Sequence, residues 1–191
     1  MRAAIVLAGG RSRRFGRADK LFAPLGRVPL LLYAIRAAKA APAGRVLVAT
    51  VQPMRVRALV RRYRVSGVQI VRVVAGGGPL STSLRTALTA LRPLERDAFV
   101  FLGDMPHVDP DLAARLSRRS SGGFTAVRPS HRGVPGHPVF VRNVRAQTLG
   151  QGDAGFRIDR QAVGWISAGP GSIRDVDRRS DLRRAAAARP R

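Results

Sequence analysis

The chain has 191 residues, 45% of them hydrophobic, no cysteine, and a formal net charge of +24. That length suits one domain with a sizeable core, and the missing cysteines exclude disulfides, thiolate metal sites and a cysteine nucleophile. The apolar runs are shorter than a secretory leader's apolar region or a membrane span, so a cytoplasmic protein with no membrane partner is expected.

Such a charge often marks nucleic-acid binding. Here the cations are spread along the whole chain, and the seven Phe, two Tyr and one Trp form no stacking series. A specific nucleic-acid partner is therefore not expected, although salt-sensitive retention of polyanions is.

In chain order, Ala3–Ala8 reads as a buried strand that stops at Gly9-Gly10. Pro29 can open a helix in which Leu31, Ala34, Ile35 and Ala38 share one face. Val46–Val51 is a second strand, Met54–Tyr63 a helix, and Val68–Val74 a third strand ending in glycines. Ser81 or Ser83 can cap a helix whose Leu84, Ala87, Leu88 and Leu91 repeat at helical spacing. Ala98–Leu102 is a fourth strand, followed by Gly103-Asp104-Met105-Pro106, and Asp109-Pro110 opens a helix through Leu116. Short strands are expected at Phe124–Arg128, Val139–Val141 and Val163–Ser167, and the tail from Ala185 ends a helix. This alternation argues for an α/β domain in three layers: a mostly parallel sheet with helices on both faces. Residues 1–191 are expected to form one domain, with 1–120 carrying the regular alternation and 121–191 a substrate-facing part.

The chemistry starts at the first loop. Glycines at a strand end let a phosphate approach bare backbone N–H groups, and the arginines and lysine of residues 11–20 supply opposing charge. The spacing is neither a Walker loop nor G-x-G-x-x-G. Lys20 and Lys39 are the only lysines among 35 basic residues, so Lys20 stands out as a chosen ammonium. In parallel sheets ligands sit beyond the carboxyl ends of the strands, and three loops meet there: 9–20, 76–83 and 103–106. Asp104 projects from that rim and suits Mg²⁺, which takes one or two carboxylates plus phosphate oxygens. Asp175 and Asp177 share a face if Asp175-Val176-Asp177 is extended, offering a second carboxylate; equally, this acidic run with Asp181 reads as a helix cap. His107, His131 and His137 lack metal-ligand spacing, and no Gly-x-Ser-x-Gly is present.

Together these segments resemble the molybdenum-cofactor nucleotidyltransferases (MobA/MocA-like NTP transferases). The residues carrying the resemblance are L-A-G-G-R-S-R-R-F-G with Asp19-Lys20, and G-D-M-P at 103–106. Gly136-His137-Pro138-Val139 and 149–157 are similar to segments of the cytidylyl-transferring branch. Asp175-Val176-Asp177 with Asp181-Leu182 is similar to the closing motif of many relatives, with Arg178-Arg179 in place of Thr-Pro. The resemblance implies a Rossmann-like nucleotidyltransferase fold. It also implies Mg²⁺-dependent transfer of a nucleoside monophosphate from an NTP to the terminal phosphate of molybdopterin, with release of pyrophosphate. Gly9, Gly10 and Ser12 would then receive the triphosphate. Arg14, Lys20 and Asp104 would be catalytic, with Asp104 and Asp177 on the metal. Leu7, Ala8, Gly78 and Ser83 would face base and ribose, and Gly136, His137, Asp153 and Arg157 the acceptor. A molybdoenzyme or its chaperone is the implied macromolecular partner.

Guanylyl-transferring members carry an Asn after the second strand and an Asp before the third-strand loop. The only Asn here is Asn143, and Val74-Ala75 occupy the second position, which weakens a GTP assignment; CTP is favoured because the second half matches better. L-A-G-G and Gly78-Pro79-Leu80 are nearer the guanylyl pattern, which keeps GTP open. The acceptor alternatives are other phosphorylated small molecules such as sugar phosphates. From other classes, a basic nucleic-acid-binding protein and a nucleotide-binding accessory without catalysis remain.

Overall fold

An alternation of inward-facing residues on the first strand decides the architecture. The computed structural model describes residues 1–10, 15, 19–74, 80–150 and 155–187. On β1 (Arg2–Ala8), Ala4, Val6 and Ala8 join one hydrophobic cluster, while Ala3, Ile5 and Leu7 join another. A strand apolar on both faces belongs in the middle of a covered sheet. β1 lies between β4 (Arg45–Thr50) and β6 (Asp97–Leu102), parallel to both. β5 (Val68–Arg72) extends the parallel block beyond β4. On the other side come β9 (Val139–Val141), β7 (Ala126–His131) and β12 (Val163–Ser167). β9 runs antiparallel to both neighbours, and β12 is again parallel to β7. β8 (Val134–Pro135) pairs back onto β7 across Arg132-Gly133, both at positive φ as a tight hairpin turn requires.

Helices cover both faces. α1 (Leu30–Ala40) places Leu31, Ala34, Ile35 and Ala38 against Phe99, Phe101 and Phe140. Each of these rings is almost fully buried and contributes about 2–3 kcal/mol of hydrophobic stabilisation. α2 (Pro53–Arg62) and α4 (Leu112–Arg119) share that face through Val56, Leu59, Leu112 and Leu116. α3 (Leu80–Thr89) covers the opposite face with Leu84 and Ala87. α5 (Arg179–Ala187) closes a smaller cluster of Phe15, Leu25, Leu30 and Val176. Two short ladders complete the fold, β2 (Pro24–Leu25) with β3 (Val28–Pro29), and β10 (Thr148–Leu149) with β11 (Phe156–Arg157).

The expected α/β class, a mostly parallel sheet with helices on both faces, is therefore present, with three local corrections. α3 begins at Leu80, so Ser81 and Ser83 sit inside its first turn and do not cap it. α4 starts after Asp111 and runs to Arg119: Asp109 instead closes a turn, its Oδ1 accepting from the Asp111 N–H at 2.9 Å. Pro29 is the residue before α1 rather than its first member.

One buried ion pair locks the amino-terminal edge of the sheet. Arg45 Nε and Nη2 each donate to Glu95 at 2.6 Å, and the Arg92 N–H donates to the same carboxylate at 2.7 Å. These bonds, led by Arg45, hold the Glu95 carboxyl below the usual carboxylate range against the opposing effect of burial. No described helix is long and apolar enough to cross a membrane.

Candidate active site

The site forms where β1 and β6 end side by side. The Gly103 N–H donates to Leu7 O at 2.9 Å, so the turn after β6 is anchored to the end of β1. This puts Gly9-Gly10 and Asp104 on one rim. Gly9 packs so closely on α3 that a Cβ there would stand 2.3 Å from Ser83 Oγ. A larger residue would have to turn the Ser83 hydroxyl away, whereas glycine leaves the backbone open to the cleft.

Lys20 enters from a single 3₁₀ turn, Lys20–Phe22. Asp19 caps the turn, its Oδ1 accepting from the Leu21 N–H at 3.0 Å, while its other oxygen accepts from Gln52 after β4. The ammonium is thereby aimed into the rim, donating to Asp104 Oδ2 at 2.7 Å and to Asp177 Oδ1 at 2.8 Å. Burial alone would lower its pKa; the charge and hydrogen bond of Asp104, then those of Asp177, more than offset this and raise it. Lys20 is thus fully protonated at neutral pH.

Asp177 arrives from the far end of the chain. Residues 174–177 carry no regular secondary structure and pair with no strand among the described residues; the segment is held by the Val176 N–H donating to Asp104 O at 3.0 Å. Val176 is buried on the side facing α5. Asp175 and Asp177 therefore project the other way, toward Asp104. Ligand oxygens of Asp104, Asp175 and Asp177 lie within 4.8 Å of one another. Partial burial, then the charges of Asp104 and Asp177, raise the Asp175 carboxyl above its usual value. Asp181 does the capping, accepting from the N–H groups of Asp177 and Arg178 at 3.0 and 2.7 Å. The acidic run thus does both things the sequence allowed, split between different residues.

A cleft of about 140 Å³ lies beside these groups, lined by Leu7, Ala8, Gly9, Gly10, Lys20, Ser83 and Asp104. Leu80 and Leu102 separate it from a neighbouring cavity of about 720 Å³ that includes His137 and Phe156. The His137 N–H donates to Ser172 O at 2.8 Å, and Ser172 begins the stretch that leads to Asp177. Burial, then the charge of Arg128, depresses the His137 pKa to about 4, so its ring is neutral at physiological pH. Gly136 supports it from below: a Cβ there would meet Ser172 O at 2.3 Å. Arg157 is exposed on β11, beside Phe156 rather than on the cavity wall. Ser12, Arg14, Gly78 and Asp153 lie outside the described residues.

The structure brings Leu7, Ala8, Gly9, Gly10, Lys20, Ser83 and Asp104, expected from the sequence at one rim, into one cleft, and it sets Asp177 on Lys20. The sequence offered one carboxylate from Asp175-Val176-Asp177 where the structure brings both, and Arg128 was not singled out. The alternation that brings Asp177 inward also brings Asp175, so that signal was present; Arg128 was one arginine among many.

A family model of MobA-like NTP transferase domains matches residues 4–165. A protein of Pyrococcus furiosus named "Probable molybdenum cofactor guanylyltransferase" is 31% identical over 144 residues, 73% of this chain and 68% of that one. Among solved structures, the Mycobacterium sp. strain JC1 homolog of Mycobacterium tuberculosis Rv0371c is 28% identical with a TM-score of 0.77, covering 98% of this chain and 97% of that one. A nucleotidyl transferase from Methanothermobacter, Mth528, shares the fold at a TM-score of 0.78 and 21% identity, over 98% of this chain and 96% of its own. With its glycine turn, lysine and strand-end carboxylate in one cleft of a parallel sheet, the chain belongs to the family of MobA-like NTP transferase domains, the nucleotidyltransferases.

Proposed function

We propose that this protein transfers a nucleoside monophosphate from an Mg²⁺-bound NTP to the terminal phosphate of a molybdopterin-type acceptor. The observation that carries the reading is the Lys20 ammonium set between Asp104 and Asp177 beside the Gly9-Gly10 turn. The backbone of Gly9 and Gly10, with Ser12 and Arg14 of the same loop, receives the triphosphate. Leu7, Ala8, Ser83 and Gly78 border the base and ribose.

Three carboxylates with oxygens this close suit a hard divalent cation, and Asp104, Asp177 and Asp175 would hold it. Such an ion supplies charge neutralisation at the phosphates. In the transfer, an acceptor phosphate oxygen bonds to the α-phosphorus as the bond to the β-phosphate oxygen breaks, and pyrophosphate departs with that electron pair. The attacking oxygen is already anionic, so no general base is needed. Lys20 and Arg14 meet the negative charge that builds on the leaving group, a preorganised contribution of the kind worth a hundredfold or more in rate.

The chain works as one domain, with residues 1–120 serving the NTP and 121–191 the acceptor through Gly136, His137, Asp153 and Arg157. CTP is the donor favoured by the 136–139 and 149–157 segments; GTP is the second reading, favoured by the guanylyltransferase name of the Pyrococcus relative. Thermal stabilisation by CTP, GTP, ATP and UTP with and without Mg²⁺ tests this. One base standing out, with Mg²⁺ required, supports the reading and names the donor. Equal, salt-sensitive shifts for every polyanion would overturn it in favour of nonspecific arginine binding.

A further inference from the structure

A second groove adjoins the turn that carries Lys20. Lys20 and Leu21 line the nucleotide cleft, whereas Asp19, Phe22, Ala23 and Pro24 line this groove. Its other walls are Arg55 of α2 and Arg179, Leu182 and Arg183 of α5. Arg179 is one of the two arginines that stand where the resembled closing motif has Thr-Pro. The groove is thus bounded by the residue before Lys20 and by the helix that starts two residues after Asp177.

Its shape suits a chain segment more than a small molecule. The groove holds about 650 Å³, and of its lining residues only Phe15 is buried. A small molecule laid there would keep much of its surface in water, unlike the ligand of an enclosed pocket. A segment of another protein has its outer side covered by its own fold, so an open groove serves it.

The charge says which kind of segment. Three guanidiniums face one carboxylate, and that carboxylate is engaged within the chain. Asp19 accepts from the Leu21 N–H and the Gln52 side chain, with Arg55 at 3.7 Å. Among the described residues, neither Arg179 nor Arg183 pairs with a carboxylate. Arg55 lies 3.9 Å from the centre of the Phe22 ring, and Arg179 6.0 Å from that of Phe15. Stacking on a ring orders a guanidinium before any partner arrives and leaves N–H groups at its edge for carboxylates. Arg179 and Arg183 sit one turn apart on α5, so they share a side of the helix. Pro24 and Leu182 add an aliphatic floor. Nucleic acid fits this surface poorly. Phe22 packs on the core and carries Arg55, and Phe15 is buried, so neither offers an open face to a base.

We infer that this groove docks an acidic segment of a partner protein, with its carboxylates on Arg55, Arg179 and Arg183 and an aliphatic side chain on Pro24 and Leu182. The surface lies outside the cleft, and the inference does not rest on the transferase reading.

The test measures binding to the full chain by fluorescence anisotropy at physiological salt. The probe is a labelled decapeptide of six glutamates and four leucines. Its comparisons are the same peptide with serine for leucine, the same peptide with glutamine for glutamate, and a short oligothymidylate of equal charge. Arg179→Gln/Arg183→Gln is set against a charge-matched variant, Arg85→Gln/Arg118→Gln, whose residues are exposed on α3 and α4 outside the groove. The expected result is that the Glu-Leu peptide binds wild type about tenfold tighter than the Glu-Ser peptide, and far tighter than the Gln-Leu peptide. The groove variant weakens it by about ten- to thirtyfold, and the charge-matched variant by less than about threefold. Equal affinity for the Glu-Leu and Glu-Ser peptides, or equal losses in the two variants, would overturn the inference and leave only the general field of the arginines. Absence of Glu-Leu binding to wild type would overturn it too. Tighter binding of the oligothymidylate, with the same loss in the groove variant, would overturn it in favour of nucleic acid. If the groove variant does not fold, Arg55→Gln decides: wild-type affinity for the Glu-Leu peptide counts against the inference. Mg²⁺-NTP stabilisation, read separately, bears on the transferase reading alone.

Discussion

Replacing Lys20 by methionine removes the cation that joins Asp104 to Asp177 while keeping the length and apolar stem of the side chain. Its two contacts, at 2.7 and 2.8 Å, join a side chain that is 11% exposed to partners 21% and 40% exposed. Breaking a fully buried pair costs about 3–5 kcal/mol, and the half-open Asp177 side is screened, so about 2–4 kcal/mol is expected. For a chain of this size that lowers Tm by roughly 5–15 °C in the presence of EDTA. The same change removes a positive charge within a few ångströms of any ion on Asp104, Asp175 and Asp177. Even at the dielectric of water, a monovalent and a divalent cation about 4 Å apart repel by roughly 2 kcal/mol. Lys20→Met should therefore bind Mn²⁺ or Mg²⁺ more than tenfold tighter, by calorimetry, and regain much of its lost Tm when the ion is added. It should also lose most of its turnover, because the charge on the leaving group is no longer met. An unchanged Tm in EDTA, or weaker metal binding in the variant, would refute the reasoning.

Other expectations follow from the same geometry. Asp104→Ala should cut nucleotidyl transfer by about a hundredfold or more, read as pyrophosphate release, without unfolding the sheet. Glu95→Ala, far from the site, should cost about 3–5 kcal/mol by chemical denaturation, because it strands the buried Arg45. The folded-state pKa of Glu95 lies below its unfolded value, so its contribution is present above the usual carboxylate pKa and disappears as pH falls through and below it. His137 titrates in its own window: depressed to about 4, it makes the protein lose stability as pH drops from about 6.5 toward 4, and His137→Gln should flatten that slope in a pH series of melts. Gly136→Ala should destabilise by about 1–3 kcal/mol through its clash with Ser172.

The parallel block was legible because β1, β4, β5 and β6 are apolar runs separated by helical stripes, and such runs have few alternatives to a covered sheet. β9 was legible as a strand but not in its direction. Three residues between Pro138 and Arg142 carry no signal of antiparallel pairing, which depends on what β6 and β7 leave open. At the site, Lys20 was visible because the chain otherwise uses arginine. The same habit hid Arg128, whose distinction is an unpaired Nε in a cavity, a property of the packed sheet alone. The helix starts at Leu80 and Leu112 were misread by two to four residues, where serine and aspartate can serve a turn as readily as a cap.

The hydrogen bond from Val176 to Asp104 has a consequence for synthesis. Lys20 and Asp104 follow strands of the parallel block of β1, β4, β5 and β6, whose last residue is Leu102, whereas Asp175 and Asp177 come only after β12. On the ribosome, that block can assemble while the carboxylate cluster is still incomplete. The nascent domain thus passes through a stage in which it is folded in outline but has no finished cation site. Competence for its chemistry switches on only when the segment that stitches β6 to α5 emerges.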